Sequence, residues 1–158
     1  MLGRRQTEAK RTNMGEPVWE FQHSARCNAT RQFAWKYWTN VANWNDPPAK
    51  FELDGQFAAG SRLTTTLLDQ TWHSVIREVD PGREATIEME LPGAVLSFHW
   101  RFADLANGQT QITQRLVLKG PDAKSFVAQA SIFERSVPQG MEKLLASIER
   151  ARTAMGSG

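Results

Sequence analysis

Between Phe51 and Lys119 the chain alternates apolar and polar residues with a period of two, in six short segments that no helix-length stretch interrupts. The segments are Phe51 to Phe57, Leu63 to Leu68, Trp72 to Val79, Ala85 to Leu91, Leu96 to Ala103 and Thr110 to Lys119. Turn signals divide them, among them Gly60, Asp80-Pro81-Gly82, Pro92-Gly93 and Asn107-Gly108. Parallel pairs need long crossovers, which these turns do not supply, so the segments form an antiparallel meander. Upstream, Trp19, Phe21, His23, Ala25 and Cys27 alternate with Glu20, Gln22, Ser24 and Arg26, which adds a seventh strand.

Helical periodicity is confined to two places. Thr30 is positioned to cap a short helix with apolar Phe33, Ala34, Tyr37, Trp38 and Val41, and the turn from Asn43 to Pro48 ends it. After Gly120-Pro121-Asp122, apolar residues recur at steps of three and four: Phe126, Ala130, Phe133, Val137, Met141, Leu144, Ile148, Ala151 and Met155. An unbroken helix over that stretch would be ~50 Å long, whereas a compact chain of this size is only about 40 Å across. The helix must therefore bend, and Pro138 offers a bend point by crowding the carbonyl of Glu134; two abutting helices are the alternative. With all its helix in two places, a strongly twisted sheet packs that helix across its concave face, an α+β two-layer domain.

The 158 residues suit one such domain, placed at residues 18–155. Cys27 is the sole cysteine, which excludes an intramolecular disulfide and favours a reducing compartment. No uncharged stretch approaches the ~20 residues of a spanning helix. A cytoplasmic protein is the expectation. Met1 to Pro17 reads as a flexible basic arm, holding Arg4, Arg5, Lys10 and Arg11 against Glu8 and Glu16, the whole of the formal charge of +2. The body from Val18 onwards is balanced, whereas a binder of duplexes or anionic membranes usually concentrates positive charge on its folded part; no nucleic-acid partner is expected.

Several stretches carry a family resemblance. Thr30 to Trp44 (TRQFAWKYWTNVANW), Gly60-Ser61-Arg62-Leu63, Glu78-Val79-Asp80-Pro81, Trp100-Arg101-Phe102 and Ile112 to Pro121 (ITQRLVLKGP) resemble the START-like, or SRPBCC, superfamily, nearest its polyketide cyclase/dehydratase-like and Bet v 1-like members. The resemblance covers about Trp19 to Ala151. It implies a helix-grip fold: a seven-stranded curved antiparallel sheet around a long, kinked C-terminal helix, with two short helices after the first strand. It also implies an apolar ligand cavity between sheet and helix. Its motifs mark turns and packing positions and do not choose an activity. An apolar void of ~300 Å³ would cost up to about 7 kcal/mol, comparable with the whole stability of a domain. A retained cavity therefore suggests use.

Candidate site residues follow from facing. His23 shares a face with Trp19, Phe21, Ala25 and Cys27, hence points towards the helix, where an imidazole could shuttle protons or simply bond to backbone. Gln114 lies among Ile112, Leu116 and Leu118 and needs a partner if buried: a ligand oxygen, a side chain or water. Further ligand contacts are expected from Leu63, Met89, Phe98 and Trp100 on the sheet and from Phe126, Phe133 and Met141 along the C-terminal helix. Trp38 and Trp44 belong with Trp35 and Tyr37 to an aromatic cluster that either borders the cavity or anchors the short helices.

Other polar groups read as surface. His99 alternates with Phe98 and Trp100 and should face solvent; Glu88 and Glu90 share a face opposite Ile87, Met89 and Leu91 and should also face water. Arg77 either meets a ligand carboxylate or sits in a surface ion pair, and the mixed faces around His73 and Arg77 leave their orientation open. Cys27 has no adjacent base to activate it. Phosphate-loop, zinc-binding and nucleophile-elbow motifs are absent from the sequence, so neither a metal nor a cofactor is expected.

The leading expectation is a binder of a small hydrophobic molecule, lipid-like, aromatic or polyketide-like, acting as monomer or homodimer. A polyketide aromatase/cyclase or dehydratase using His23 is the enzymatic alternative. A protein-interaction module with a vestigial cavity is the third.

Overall fold

The computed structural model describes residues 15–156. Of the basic arm, residues 1–14 lie outside the described residues. The elements are β1 (Trp19–Cys27), α1 (Arg31–Thr39), a 3-10 turn (Val41–Trp44), β2 (Ala49–Asp54), β3 (Arg62–Leu67), β4 (Gln70–Asp80), β5 (Glu84–Leu91), β6 (Ala94–Asp104), β7 (Thr110–Lys119), a 3-10 turn (Ala123–Phe126), α2 (Val127–Ala130) and α3 (Phe133–Gly156). The seven strands form one antiparallel sheet in the order β1-β7-β6-β5-β4-β3-β2. Every predicted strand is present, although β2 stops at Asp54 and leaves Phe57 beyond the ladder.

Local chemistry explains the ends of α1. The Thr30 hydroxyl accepts from the Phe33 amide at 3.2 Å, the expected N-cap. At its other end the Asn40 amide donates to the Tyr37 carbonyl at 3.3 Å, closing the last turn. The chain then turns sharply into the 3-10 segment, where the Asn43 amide side chain donates to Tyr37 O at 2.8 Å.

A β-bulge resolves the ambiguous faces of β4. The register shifts between Ile76 and Glu78, so Arg77 is an extra residue in the ladder against β5. Before the bulge Trp72, Ser74 and Ile76 face inward, and after it Val79 does, while Arg77 and Glu78 both point outward. Arg77 Nε lies 2.7 Å from Glu88 Oε1 and its Nη2 3.1 Å from Glu90 Oε1. The surface ion pair is thus the reading that holds for Arg77, and both glutamates face outward, as expected. His99 is on that outer face too, with Nε2 3.4 Å from Glu84 Oε2.

The C-terminal helical region is interrupted upstream of Pro138, which lies inside α3. The break is at Ser131 and Ile132: the amides of Ile132, Glu134 and Arg135 reach back only three residues, at 3.3, 3.1 and 3.1 Å. Ser131 Oγ also donates to Ala128 O at 2.8 Å, competing for a helical carbonyl. These tight turns separate α2 from α3, so the region is two abutting helices. α3 then runs beside β1, and at its far end Glu149 Oε1 accepts from the Asn28 amide at 2.8 Å while Arg152 donates to Asn28 O at 3.0 Å.

Where β5–β6 meets the end of β7, two backbones touch. The Asp122 amide donates to Gly93 O at 2.9 Å. Gly120 sits at φ 128°, and a Cβ there would lie 2.5 Å from Gly93 O and 2.7 Å from Ala94 Cα. Neither atom belongs to a flexible side chain. Gly120→Ala is expected to lower stability by about 2 kcal/mol or more; urea denaturation should show a reduced midpoint with an unchanged slope.

Candidate functional site

The inward residues of the sheet form cross-strand rows. One row reads His23, Gln114, Trp100 and Ala85 from β1 through β7 and β6 to β5; the next reads Phe21, Leu116, Phe98 and Ile87. α3 faces these rows through buried Val137, Met141 and Ile148, spaced to lie along one stripe. Its backbone comes nearest to β1 and α1, so the middle of the sheet is covered less closely than its β1 edge.

Core packing divides around this region. The first cluster is built on Trp38, which is 1% exposed. Its ring lies 4.9 Å from Trp100, 5.0 Å from Phe57, 5.3 Å from Phe102 and 5.4 Å from both Trp35 and Trp44. The Trp44 indole donates to Trp38 O at 2.6 Å, satisfying its polar atom inside the cluster. Leu63 and Met141 are buried in the same cluster. The second cluster gathers Leu96, Leu118, Ala123 and Ala130, with Trp19, Met89, Phe126 and Phe133 packed against it. Trp19 stacks on Phe21 at 6.4 Å and donates from its indole to Glu134 Oε1 at 3.2 Å, joining β1 to the start of α3.

Two aromatic contacts therefore bracket the middle of the inner face. On one side Trp38 meets Trp100; on the other Phe98 meets Phe133 edge-on at 5.5 Å and 82°. Beside them, on β7 and the edge strand β1, lie Gln114, Leu116, His23 and Phe21. His23, Phe21, Phe98 and Trp100 all retain partial exposure although they point inward from the sheet, two of them from a central strand. Gln114 is 8% exposed. Neither the His23 imidazole nor the Gln114 amide has a hydrogen-bond partner among the described residues.

The sequence-derived residues thus fall into three groups. Phe21 and His23 on the edge strand β1 adjoin Leu116 and Gln114 on β7 and Phe98 and Trp100 on β6, with Trp100 also packed against the first cluster and Phe98 against both. Trp38, Trp44, Leu63 and Met141 belong to the first cluster, and Trp19, Met89, Phe126 and Phe133 to the second. Val137 was not singled out from the sequence, yet it is buried on α3 outside both clusters. Its place in the three-and-four spacing was the available signal.

Two surface clefts lie elsewhere. One of about 590 Å³ is bounded by Asn40, Val41 and Asn45 on one side and Phe51, Leu53 and Phe57 on the other. The second, about 470 Å³, lies beside Pro92, Pro121 and Phe126. Near the first, Lys143 Nζ lies 2.9 Å from Asp46 Oδ2, tying the loop before β2 to α3. Among the described residues, no group of three or more His, Cys, Asp or Glu side chains could hold a metal ion, and no helix is long and apolar enough to cross a membrane.

Neither a family model nor a curated protein matches the sequence. Solved structures do match its shape. Norcoclaurine synthase from Thalictrum flavum, in complex with dopamine and hydroxybenzaldehyde, superposes with a TM-score of 0.68 at 13% identity, over 88% of this chain and 91% of the other. The Zhui aromatase/cyclase from Streptomyces superposes at 0.64 with 21% identity, over 84% of this chain and 94% of the other. A curved antiparallel sheet gripping a C-terminal helix defines the helix-grip class. Within that class, the chain shares its fold with these two proteins, as the sequence resemblance implied.

Cys27 contributes structure. It is buried at the end of β1, and burial pushes its thiol from 9.0 up to about 11, with Glu149 adding to the rise and Arg152 opposing it. A raised acid favours the neutral thiol in the folded state, so this stabilisation is complete below about pH 9 and is lost as pH rises through about 11. Native protein should resist thiol reagents at neutral pH. Comparing denaturation of wild type and Cys27→Ala from pH 8.5 to 11 should show the wild type losing more stability. By contrast, Trp38→Ala should cost about 3–5 kcal/mol at any of these pH values, because it empties the centre of the first cluster.

Proposed function

We propose that this protein binds a small hydrophobic molecule on the inner face of the sheet, under α3, between the two core clusters. The observation that carries this reading is the pairing of His23 with Gln114, polar groups without protein partners in a setting of Phe21, Phe98, Trp100 and Leu116. A guest with an apolar body and one or two oxygens satisfies both halves of that surface: its area is removed from water at roughly 25 cal/mol per Å², and its oxygens engage the amide and imidazole. Aromatic walls favour a planar or polyketide-like guest over a long acyl chain. A structural neighbour solved with dopamine and hydroxybenzaldehyde supports the same ligand class by analogy of fold.

An enzymatic role is the second reading, favoured by His23 itself. An imidazole on this face could move a proton to or from a bound carbonyl compound, with Gln114 holding its oxygen. The likeness to an aromatase/cyclase points the same way, again by fold.

Gln114→Leu separates function from packing. Without ligand the variant should keep a stability within about 1 kcal/mol of wild type, because a hydrocarbon of similar volume replaces an amide that makes no protein hydrogen bond. It should bind oxygenated aromatic ligands about tenfold more weakly, the loss of one hydrogen bond. Native mass spectrometry for a co-purified guest and titration with a panel of aromatics, sterols and fatty acids supply the readouts. A protein that is always empty and ignores the whole panel would refute the binding role. For the enzymatic reading, His23→Gln should abolish turnover while leaving binding nearly intact.

A further inference from the structure

Of the six tryptophans, Trp19, Trp35, Trp38, Trp44 and Trp100 all make ring contacts. Trp72 is the exception. It belongs to neither core cluster, and among the described residues it has no ring contact and no acceptor for its indole N–H. Yet it sits on β4, an interior strand, and alternation with Ser74 and Ile76 aims it at the inner face, where it stays partly exposed. A large ring with a polar tip is thus held inward without a partner for either.

Ser74 stands next to it on the same face. Among the described residues the buried polar side chains are Ser74, Thr110 and Gln114, with Ser74 5% exposed. Thr110 donates to Ala29 O at 2.7 Å, whereas the Ser74 hydroxyl, like the Gln114 amide, has no partner among the described residues. Across the ladder Ser74 faces Leu63 of the first cluster on β3 and Met89, packed against the second, on β5. It therefore marks a place where the two clusters adjoin. Thr65, opposite Trp72 on β3, adds a further hydroxyl without a partner among the described residues.

Apolar surface connects this position with Gln114. Phe98 on β6 and Met89 on β5 face inward, remain partly exposed and lie diagonally between the two polar residues. Three strand spacings across and four residues along would separate Ser74 from Gln114 by roughly 20 Å in a flat sheet, and curvature shortens that path.

We propose that Trp72 and Ser74 form a second pole of the inner-face site. Trp72 stacks on an aromatic end of the guest, and the Ser74 hydroxyl bonds the oxygen that this end carries. The other end lies at Gln114 and His23, with Phe98 and Met89 against the body between. The inference rests on the binding role proposed above and narrows it to an elongated guest with an oxygen at each end; a single-ring compound fills one pole only.

Two probes decide this: a diarylheptane with a phenol at each end, and its analogue with a phenol at one end and a plain phenyl at the other. Calorimetric titration of wild type should favour the first by about tenfold, the loss of one hydrogen bond. Ser74→Ala should bind the two alike. Trp72→Ala should weaken both, and because Trp72 belongs to neither cluster the variant should keep the circular dichroism and melting temperature of wild type. Trp72→Phe, which retains a ring, should recover binding while lacking the indole N–H resonance that the two-phenol probe shifts in the wild-type nuclear magnetic resonance spectrum. Equal affinity of wild type for the two probes, or a preference that survives Ser74→Ala, would overturn the second pole and leave inner-face binding intact. Wild type that ignores both probes would overturn it too, and the binding role falls with it only if the rest of the panel is also ignored. Probe binding that Trp72→Ala abolishes and Gln114→Leu leaves at full strength would reject the other pole, and with it the two-ended guest.

Discussion

A single helix is too narrow for the sheet it covers. Seven strands about 4.8 Å apart span roughly 29 Å, while a helix with its side chains is about 10–12 Å across. α3 lies along β1 and α1 and leaves much of the concave face to be covered by other means. The aromatic side chains of α1 and the following 3-10 turn do much of that work. Trp38, Trp35 and Trp44 reach across to Phe57, Trp100 and Phe102, filling with rings a span that aliphatic residues would bridge poorly.

That division of labour produces the candidate site. One cluster closes the α1 side, a second closes the side where α2 and the start of α3 fold over the sheet, and the row from His23 through Gln114 meets the first cluster at Trp100. Polar side chains are tolerated there because neither cluster encloses them. The opposite face of the sheet is ordinary by comparison. Its charges pair with one another: Arg77 with Glu88 and Glu90, and Arg115 with Glu20. Such exposed pairs contribute little to stability.

Much of this was legible in the residues. Period-two alternation located the strands, the turn residues made them antiparallel, and Thr30 marked its helix start. The inward facing of His23 and Gln114 followed from simple parity. Parity failed at β4, since a bulge changes the phase of alternation and nothing around Arg77 announces it. The break at Ser131 and Ile132 was equally hidden, because an apolar three-and-four spacing continues unbroken across it; Pro138 is the conspicuous helix breaker, yet α3 contains it. The separation of the core into two clusters is a property of the packed molecule, and side-chain order along one strand does not encode it.

The same separation bears on how such a domain can diverge. When scaffold and recognition surface share side chains, each change of preference threatens folding, and few variants survive. Here Phe21 and His23 keep part of their surface outside the packed centres, so exchanges at these two positions disturb few buried contacts. Lineages carrying this architecture can therefore explore new chemistry on the inner face of β1 at small thermodynamic risk, with Trp38 and its ring of neighbours as the part that must stay constant.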